Sequence, residues 1–135
     1  KDIIITAGGK NISPSEIENQ LKFSSYISDA VVIGDQRKYL TCLIMIDYDN
    51  VYEFAQDQKL SFTNFTSLSN LPEVNSLIWK EIEQVNRKLA RVETIKKFRL
   101  IDQQLQAGDE ELTATMKLKR KFVDKKYAKL IESMY

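Results

Sequence analysis

The stretch AVVIGDQRKYLTCLIMI, residues 30–46, contains two apolar runs separated by a short polar segment. β-Branched and other large apolar residues fill both runs, Ala30–Ile33 and Leu40–Ile46, which is typical of β-strands. The intervening residues 34–38 are polar and begin with glycine, so they are predicted to form the turn between two strands. Because the second run is apolar at almost every position, both faces of that strand are expected to be covered.

Helices are predicted downstream of these two strands. Either Asp49 or Asn50 is expected to cap a short helix. Apolar side chains recur at helical spacing in residues 72–90, which predicts a longer helix, and a last helix is predicted from about residue 119 to residue 133. Residues 59–71 are rich in Ser, Thr and Asn, and they are expected to form an excursion on the surface.

The N-terminal residues predict a β-hairpin followed by a helix. Residues 3–6 have strong strand propensity, and the Gly8-Gly9 pair supplies the positive φ angles that a two-residue hairpin turn requires. Residues 13–16, Ser-Pro-Ser-Glu, are typical of a helix start. Ser13 is expected to be the N-cap, proline to occupy the first helical position, and Glu16 to complete a capping box.

The fold class follows from the order of these elements. A third strand is predicted over Ile95–Ile101, so strands and helices interleave around a small sheet. We therefore predict an α+β fold with an N-terminal β-hairpin, a roughly three-stranded sheet and flanking helices. The length of 135 residues suits a single domain over residues 1–135 with its own core.

Composition excludes several kinds of site. The chain has no histidine and one cysteine, which excludes a His-based triad, a structural zinc site and an intramolecular disulfide. No metal site is predicted. Cys42 lies within the second apolar strand and is expected to be a small core residue. Paired carboxylates occur at Glu16 and Glu18 and at Glu110 and Glu111, but none of them is expected in an apolar pocket.

The charge distribution and the N-terminus bear on partners and domain context. Residues 1–80 carry seven basic and ten acidic side chains, and residues 81–135 carry thirteen and nine. A gradient this shallow argues against nucleic acid as the main partner, but it suits a local phosphate contact. The chain opens on Lys1-Asp2 without an initiator Met or a signal peptide, so it is expected to be a fragment of a longer protein.

Residues 113–120, Thr-Ala-Thr-Met-Lys-Leu-Lys-Arg, are the segment most suggestive of chemistry. They place Lys117 in a Thr-rich turn ahead of a basic helix, which is a plausible way to aim one cation at an anionic reaction centre. Taken alone, such a run of charge is more typical of a solvated helix face than of a catalytic site. A Gly-Gly pair such as Gly8-Gly9, by itself, indicates only a turn.

Together, the two ends of the chain resemble the adenylate-forming superfamily, which includes acyl-CoA synthetases, luciferases and peptide-synthetase adenylation domains. In that family an Arg-x-Lys/Asp hinge precedes a strand, a Gly turn and a Pro-x-Glu-Ile-Glu helix start. Lys1-Asp2, Gly9 and residues 14–18 match this pattern. The family's C-terminal motif is a Gly-Lys turn followed by a basic position and a helix, and residues 115–120 are similar to it.

One departure points to a branch of the family. Met116 stands where the family usually has Gly. This departure, together with residues 59–94, resembles the long-chain fatty acyl-CoA synthetase branch, in which Thr-x-Thr-x-Lys-x-Lys-Arg is the common form.

The resemblance implies the mobile C-terminal domain of an ATP-dependent long-chain fatty acid–CoA ligase. Such an enzyme uses Mg-ATP to convert a fatty acid to an acyl-adenylate, and then forms a thioester with CoA, releasing AMP and pyrophosphate. The implied partners are the protein's own N-terminal adenylation domain, the fatty acid, ATP and CoA. Lys117 is the implied catalytic residue, and Lys1 and Asp2 the implied hinge. The residues implied to line the passage for CoA are Gly8, Gly9 and Lys10.

Two other functions stay open at this point. A related adenylating domain would load another acceptor, such as a carrier protein. A different class of function would be a non-catalytic interaction domain that binds anions through the basic face of residues 117–126. The isolated chain is expected to be inactive. The parent enzyme is expected in the cytoplasm, and a peripheral contact with a membrane stays open.

Overall fold

The computed structural model describes residues 2–106, 108–114 and 117–135. Its elements confirm the predicted α+β class. In chain order they are β1 (Ile4–Ile5), β2 (Asn11–Ile12), α1 (Pro14–Leu21), β3 (Ile27–Ile33), β4 (Leu40–Ile46), α2 (Tyr48–Asp57), α3 (Phe65–Ser69), α4 (Pro72–Asn86), β5 (Ile95–Leu100), α5 (Arg120–Lys126) and α6 (Ala128–Glu132).

The main sheet has the strand order β3-β4-β5. β3 runs antiparallel to β4, with Val32 opposite Cys42, and β4 runs parallel to β5, with Cys42 opposite Phe98. Every residue of the central strand β4 is buried, so the prediction that both of its faces are covered is confirmed. The parallel pairing is made possible by the long connection through α2, α3 and α4.

Alternate residues of the central strands enter two separate hydrophobic clusters, because successive strand side chains point to opposite faces. Cys42 and Ile44 belong to the larger cluster, which also takes in side chains of α1 to α4. Val31 and Leu43 belong to the smaller cluster with side chains of α5 and α6. The Cys42 thiol is fully buried and burial raises its pKa, in keeping with a core role.

The N-terminal hairpin forms, but its turn differs from the prediction. Ile5 pairs with Asn11, so the connection spans residues 6–10 and is not a two-residue turn. Gly9 has a φ of +85°, whereas Gly8 lies outside this left-handed region. The loop is closed by Gly9 N–H donating to the Thr6 carbonyl at 2.9 Å, which is why only one positive φ angle is needed.

The starts of two helices also differ in detail. α1 begins after Ser13 with Pro14 at the first helical position, as predicted, but within the described chain Ser13 makes no side-chain cap bond. The capping box with Glu16 is therefore wrong. α2 is capped by Asp47, whose side chain accepts from the Asn50 N–H at 3.0 Å. The prediction of Asp49 or Asn50 as the cap is wrong, because the helix starts at the second residue after β4.

Two longer segments also differ from expectation. Residues 59–71 are not a simple surface excursion, because α3 lies within them and buries Phe65 and Leu68 in the larger cluster. α4 ends at Asn86, before residue 90. At this end of the helix, the Asn86 side chain accepts from the Ile95 N–H at 2.8 Å and donates to the Ile95 carbonyl at 2.9 Å.

The single last helix predicted over residues 119–133 is instead two short helices, α5 and α6. They are separated at Tyr127, whose φ and ψ of −102° and 24° depart from helical values. The Tyr127 hydroxyl donates to the Glu111 carboxylate at 2.9 Å. This contact to a distant part of the chain accompanies the break.

Candidate functional site

Lys117 lies on a narrow hairpin that precedes α5. The hairpin is closed at its base by an antiparallel bridge between Leu112 and Leu118. Thr113 N–H donates to the Lys117 carbonyl at 2.7 Å, and Lys117 N–H donates to the Thr113 hydroxyl at 3.1 Å. The Lys117 side chain is exposed, and no ion pair within the described ranges includes it. Thr115 and Met116, which belong to the predicted motif, lie outside the described residues.

Asp29 ties one strand of this hairpin to the main sheet. It lies in β3 where the pairing with β4 shifts register, between Ile27 and Asp29. One carboxylate oxygen accepts from the Leu118 N–H at 2.8 Å. The other accepts from the Ala30 N–H at 2.8 Å and lies 3.6 Å from the Lys22 ammonium. The residue beside Lys117 is therefore held by a buried carboxylate of the sheet.

Glu111 holds the other strand of the hairpin against the C-terminal helices. Its carboxylate accepts from the Lys126 ammonium at 2.6 Å and from the Tyr127 hydroxyl at 2.9 Å. Its backbone carbonyl accepts from the Lys119 N–H at 2.7 Å. Burial alone would raise the pKa of Glu111, but the hydrogen bonds from Lys126 and Tyr127 outweigh burial and lower this pKa below its ordinary value.

Arg120, three residues after Lys117, joins the start of α5 to three parts of the domain. Its guanidinium bonds to the Glu18 carboxylate at 2.5 Å, to the Val32 carbonyl at 2.9 Å and to the Asp2 carboxylate at 3.0 Å. The Glu18 carboxylate also accepts from the Val32 N–H at 2.7 Å. Burial raises the pKa of Glu18 despite these donors. Asp2, a predicted hinge residue, is thereby linked to the helix that follows Lys117.

The glycine hairpin forms the second candidate surface. Gly8, Gly9 and Lys10 are all exposed. A Cβ atom at Gly9 would meet nothing within 4 Å, and one at Gly8 would only reach the Thr6 hydroxyl at 4.0 Å. Packing within the described chain therefore does not require glycine at position 8, and the φ angle alone requires it at position 9.

The two candidate surfaces attach near opposite ends of β3. The Lys117 hairpin is anchored at Asp29, near the start of the strand. The glycine hairpin is anchored beyond its end, where Ile5 N–H donates to Asp35 at 3.1 Å and Gln36 N–H donates to the Ile5 carbonyl at 2.7 Å. Four residue steps of strand separate Asp29 from Ile33, the last residue of β3, about 13 Å. The structure thus does not bring Lys117 together with Gly8, Gly9 and Lys10, and Lys1 lies outside the described residues.

The described residues carry neither a metal-binding cluster nor a membrane-spanning helix. In residues 2–106, 108–114 and 117–135 no three or more His, Cys, Asp or Glu side chains are grouped so that they could hold a metal ion. The residues described therefore do not fit a Mg²⁺ site. None of the described helices has the length and apolar character to cross a bilayer.

The residues that shape the Lys117 surface were missed in the sequence. Glu111 has only 3% of its side chain exposed and is enclosed with polar partners, Lys126 and Tyr127, a burial that the expectation about apolar pockets did not anticipate. Glu18 is also buried, at 8% exposed. For Asp29 the sequence did hold a signal. This acidic residue directly precedes the apolar run Ala30–Ile33, and a charge inside a strand needs a partner when it is buried.

Solved structures with the same fold define the class of domain. The adenylation domain of the carboxylate reductase from Mycobacterium chelonae matches 98% of this chain with a TM-score of 0.73 at 19% identity, and 19% of that chain is covered. A fatty acyl CoA synthetase from Mycobacterium tuberculosis matches 96% of this chain with a TM-score of 0.56 at 18% identity, with 20% covered. The α+β fold is that of the C-terminal domain of adenylate-forming enzymes.

Sequence comparison then gives the family. Residues 1–135 match the model of the AMP-binding enzyme C-terminal domain, and the chain belongs to this family. The resemblance to the adenylate-forming superfamily is confirmed.

Relatives of known name are much longer than this chain. The long-chain-fatty-acid–CoA ligase FadD15 of Mycobacterium tuberculosis is 38% identical over 136 residues, which cover 100% of this chain and 23% of that protein. The human long-chain-fatty-acid–CoA ligase ACSBG1 is 33% identical over 153 residues, which cover 100% of this chain and 21% of that protein. The chain therefore spans less than a quarter of the length of these relatives.

Proposed function

We propose that this chain is the C-terminal domain of a long-chain fatty acid–CoA ligase. The enzyme would use Mg-ATP to activate a fatty acid as an acyl-adenylate, and would then transfer the acyl group to CoA with release of AMP and pyrophosphate. The observation that carries this proposal is the match along the whole chain to relatives named as long-chain fatty acid–CoA ligases, at 38% and 33% identity. The domain alone is expected to be inactive, because the nucleotide and acyl pockets would lie in the rest of the enzyme.

Lys117 is proposed to act in the first half-reaction. A carboxylate that attacks the α-phosphate of ATP brings two anions together, and the transition state gathers further negative charge. An ammonium aimed at both groups offsets this repulsion. Lys117 supports this role because its side chain is exposed while its backbone is bonded on both sides to Thr113. A long stem with a compact charge suits such a reach.

The glycine hairpin is proposed to act in the second half-reaction. The pantetheine arm of CoA must pass through a narrow channel to bring its thiol to the acyl-adenylate. A backbone without side chains, as at Gly8 and Gly9, permits close approach of such an arm. The exposed position of Gly8, Gly9 and Lys10 and the lack of an internal packing reason for Gly8 support this assignment. The enzyme would present the two surfaces in turn by rotation about Lys1 and Asp2.

The proposal is tested with Lys117→Ala in the full-length enzyme that carries this domain. Removing one preorganised charge contact is expected to slow acyl-adenylate formation by about 10²–10³-fold. The rate of pyrophosphate release measures this step. Formation of acyl-CoA from supplied acyl-adenylate is expected to stay near the wild-type rate. Lys125→Ala is the matched control, since Lys125 is an exposed lysine of the adjoining helix. Equal losses in both steps would exclude the role given to Lys117.

The acceptor is identified in the same assay. A CoA ligase consumes acyl-adenylate only when CoA is added, and a long-chain enzyme prefers long-chain acids over short ones. Transfer to a carrier protein, with no response to CoA, would instead support the related adenylating function.

A further inference from the structure

Asp29 is a buried strand residue whose carboxylate makes polar contacts with three other residues. Its side chain is 8% exposed, and burying a carboxylate is unfavourable unless donors replace the lost water. Two backbone N–H groups donate to it, those of Ala30 and Leu118, each at 2.8 Å, and the Lys22 ammonium lies 3.6 Å away as an ion pair. Two of these belong to its own neighbourhood, whereas Leu118 is 89 positions away in sequence.

The local backbone explains why Asp29 reaches Leu118. β3 shifts its register against β4 between Ile27 and Asp29, and such irregularities re-aim a side chain relative to a regular strand. Lys22 of the segment after α1 meets one carboxylate oxygen, which compensates the charge within the scaffold. The second oxygen remains for the Leu118 N–H.

We infer that Asp29 is a positioning residue for Lys117. The inference rests on the proposed role of Lys117 in adenylation. Asp29 would act without touching substrate. It fixes the amide that follows Lys117 and thereby the place from which the ammonium extends.

Planarity of the peptide bond transmits this restraint. The Leu118 N–H and the Lys117 carbonyl belong to one rigid peptide unit, and Thr113 N–H holds that same carbonyl at 2.7 Å. One face of the unit is therefore tied to the hairpin itself and the other to the sheet. Without Asp29 the hairpin would stay closed through Thr113 and the Leu112–Leu118 bridge, but it would lose this tie to β3. A displacement of about 1 Å at a reacting group can cost about 10²-fold in rate.

The test is a double-mutant cycle in the full-length enzyme, with the two half-reactions measured separately. Asp29→Ala is expected to slow acyl-adenylate formation by about 10- to 100-fold, and to leave acyl-CoA formation from supplied acyl-adenylate within about twofold of wild type. In the Lys117→Ala background the same substitution is expected to change adenylation less than about twofold, because there is no ammonium left to position. A merely structural role would lower both half-reactions in both backgrounds.

Two further variants sharpen the result. Asp35→Ala is the matched control, because the Asp35 carboxylate makes the same kind of bond, to the Ile5 N–H at 3.1 Å, but anchors the glycine hairpin. It is expected to leave adenylation within about twofold of wild type. Asp29→Asn retains an oxygen that can accept from the Leu118 N–H, so its rate of acyl-adenylate formation should fall less than that of Asp29→Ala. If Asp29→Ala reduces the amount of folded enzyme, Asp29→Asn decides, with a several-fold loss confined to adenylation as the expected result.

The outcomes separate this inference from the proposed function. Normal adenylation in a folded Asp29→Ala enzyme, together with a slow Lys117→Ala enzyme, would overturn the inference alone. Full additivity of the two substitutions would do the same. Normal adenylation in Lys117→Ala would overturn the proposed function and the inference with it.

Discussion

At the residue scale, buried carboxylates shape the surface that presents Lys117. Glu111 and Asp29 each bind one strand of the Lys117 hairpin, and each uses its charge on donors inside the domain. Lys117 itself has no such partner among the described ion pairs. This division leaves the Lys117 ammonium exposed on a hairpin whose base is fixed, which under the proposed function is the arrangement that electrostatic catalysis requires.

Glu111 makes a prediction about stability and pH. Its pKa is lowered in the folded chain, whereas an unfolded Glu has a pKa of about 4.3. The unfolded state therefore binds the proton more tightly. Glu111 contributes stability above this pH, and the contribution is lost as the pH falls through the folded-state pKa. Glu111→Gln is expected to lower the free energy of unfolding at pH 7 by about 1–2 kcal/mol, because a charge-assisted hydrogen bond is weakened.

Urea unfolding of the 135-residue chain, monitored by circular dichroism, measures this effect. The difference between wild type and Glu111→Gln should shrink as the pH is lowered below about 4.3. The exposed neighbour Glu110 provides the control Glu110→Gln, which should differ little from wild type at either pH. A Glu111→Gln difference that stays constant with pH would contradict the assignment.

At the element scale, two hairpins share β3 as a support. The hairpin of β1 and β2 is bonded to the turn after β3, and the Lys117 hairpin is bonded near its start. A strand within a packed sheet is stiff, so β3 fixes the distance between the points where the two hairpins attach. Under the proposed function this separation means that one orientation of the domain presents one hairpin to the reaction centre.

Gly9 provides the test of the glycine hairpin. In the full-length enzyme, Gly9→Leu is expected to slow acyl-CoA formation from acyl-adenylate by about tenfold or more, because a side chain would obstruct the passage of the pantetheine arm. Pyrophosphate release in the first half-reaction should stay near wild type. Stopped-flow measurement of each half-reaction shows whether only the second one is slowed.

The control for Gly9→Leu must carry the same backbone strain. Gly108 has a φ of +96° and, like Gly9, nothing within 4 Å of an added Cβ. Gly108→Leu should therefore cost similar stability without slowing the CoA step. Equal slowing of that step by both variants would indicate strain and not obstruction.

At the scale of the whole molecule, the contact between Asp2 and Arg120 links the two ends of the chain. Arg120 bonds to Asp2 at 3.0 Å and to Glu18 at 2.5 Å. The Asp2 side chain is 63% exposed, so this pair adds little stability by itself. It does place the proposed hinge beside the start of α5. A change of backbone conformation at Asp2 would therefore alter a contact of α5, the helix that follows Lys117.

Lys1→Pro tests the hinge. Proline fixes φ near −65°, so the chain at this position can no longer rotate between two orientations. In the full-length enzyme, acyl-adenylate formation should persist while overall acyl-CoA production falls by about tenfold or more. Lys1→Ala, which removes the side chain but not the rotation, is the control. Wild-type overall turnover in Lys1→Pro would argue against a hinge at this position.

Local patterns in the sequence predicted much of the fold. β4 and most of β3 follow from runs of apolar residues, and α1 begins at the Ser13-Pro14 signal, because a few consecutive residues are enough to favour a strand or start a helix. The family also followed from short motifs at the two ends of the chain. The helix caps and the break at Tyr127 did not. The cap of α2 depends on the Asp47 side chain accepting from a backbone N–H, and the break accompanies the hydrogen bond that the Tyr127 hydroxyl donates to Glu111.

Strands, most of the helices and the family were therefore predictable from the sequence, since these depend on local propensity and short motifs. The partner of each buried charge was not, because it depends on how distant parts of the chain pack. Asp29 binds Leu118 across 89 positions and Glu18 binds Arg120 across 102. A buried carboxylate must find donors wherever the packed chain places them, and no pattern of neighbouring residues identifies those donors in advance.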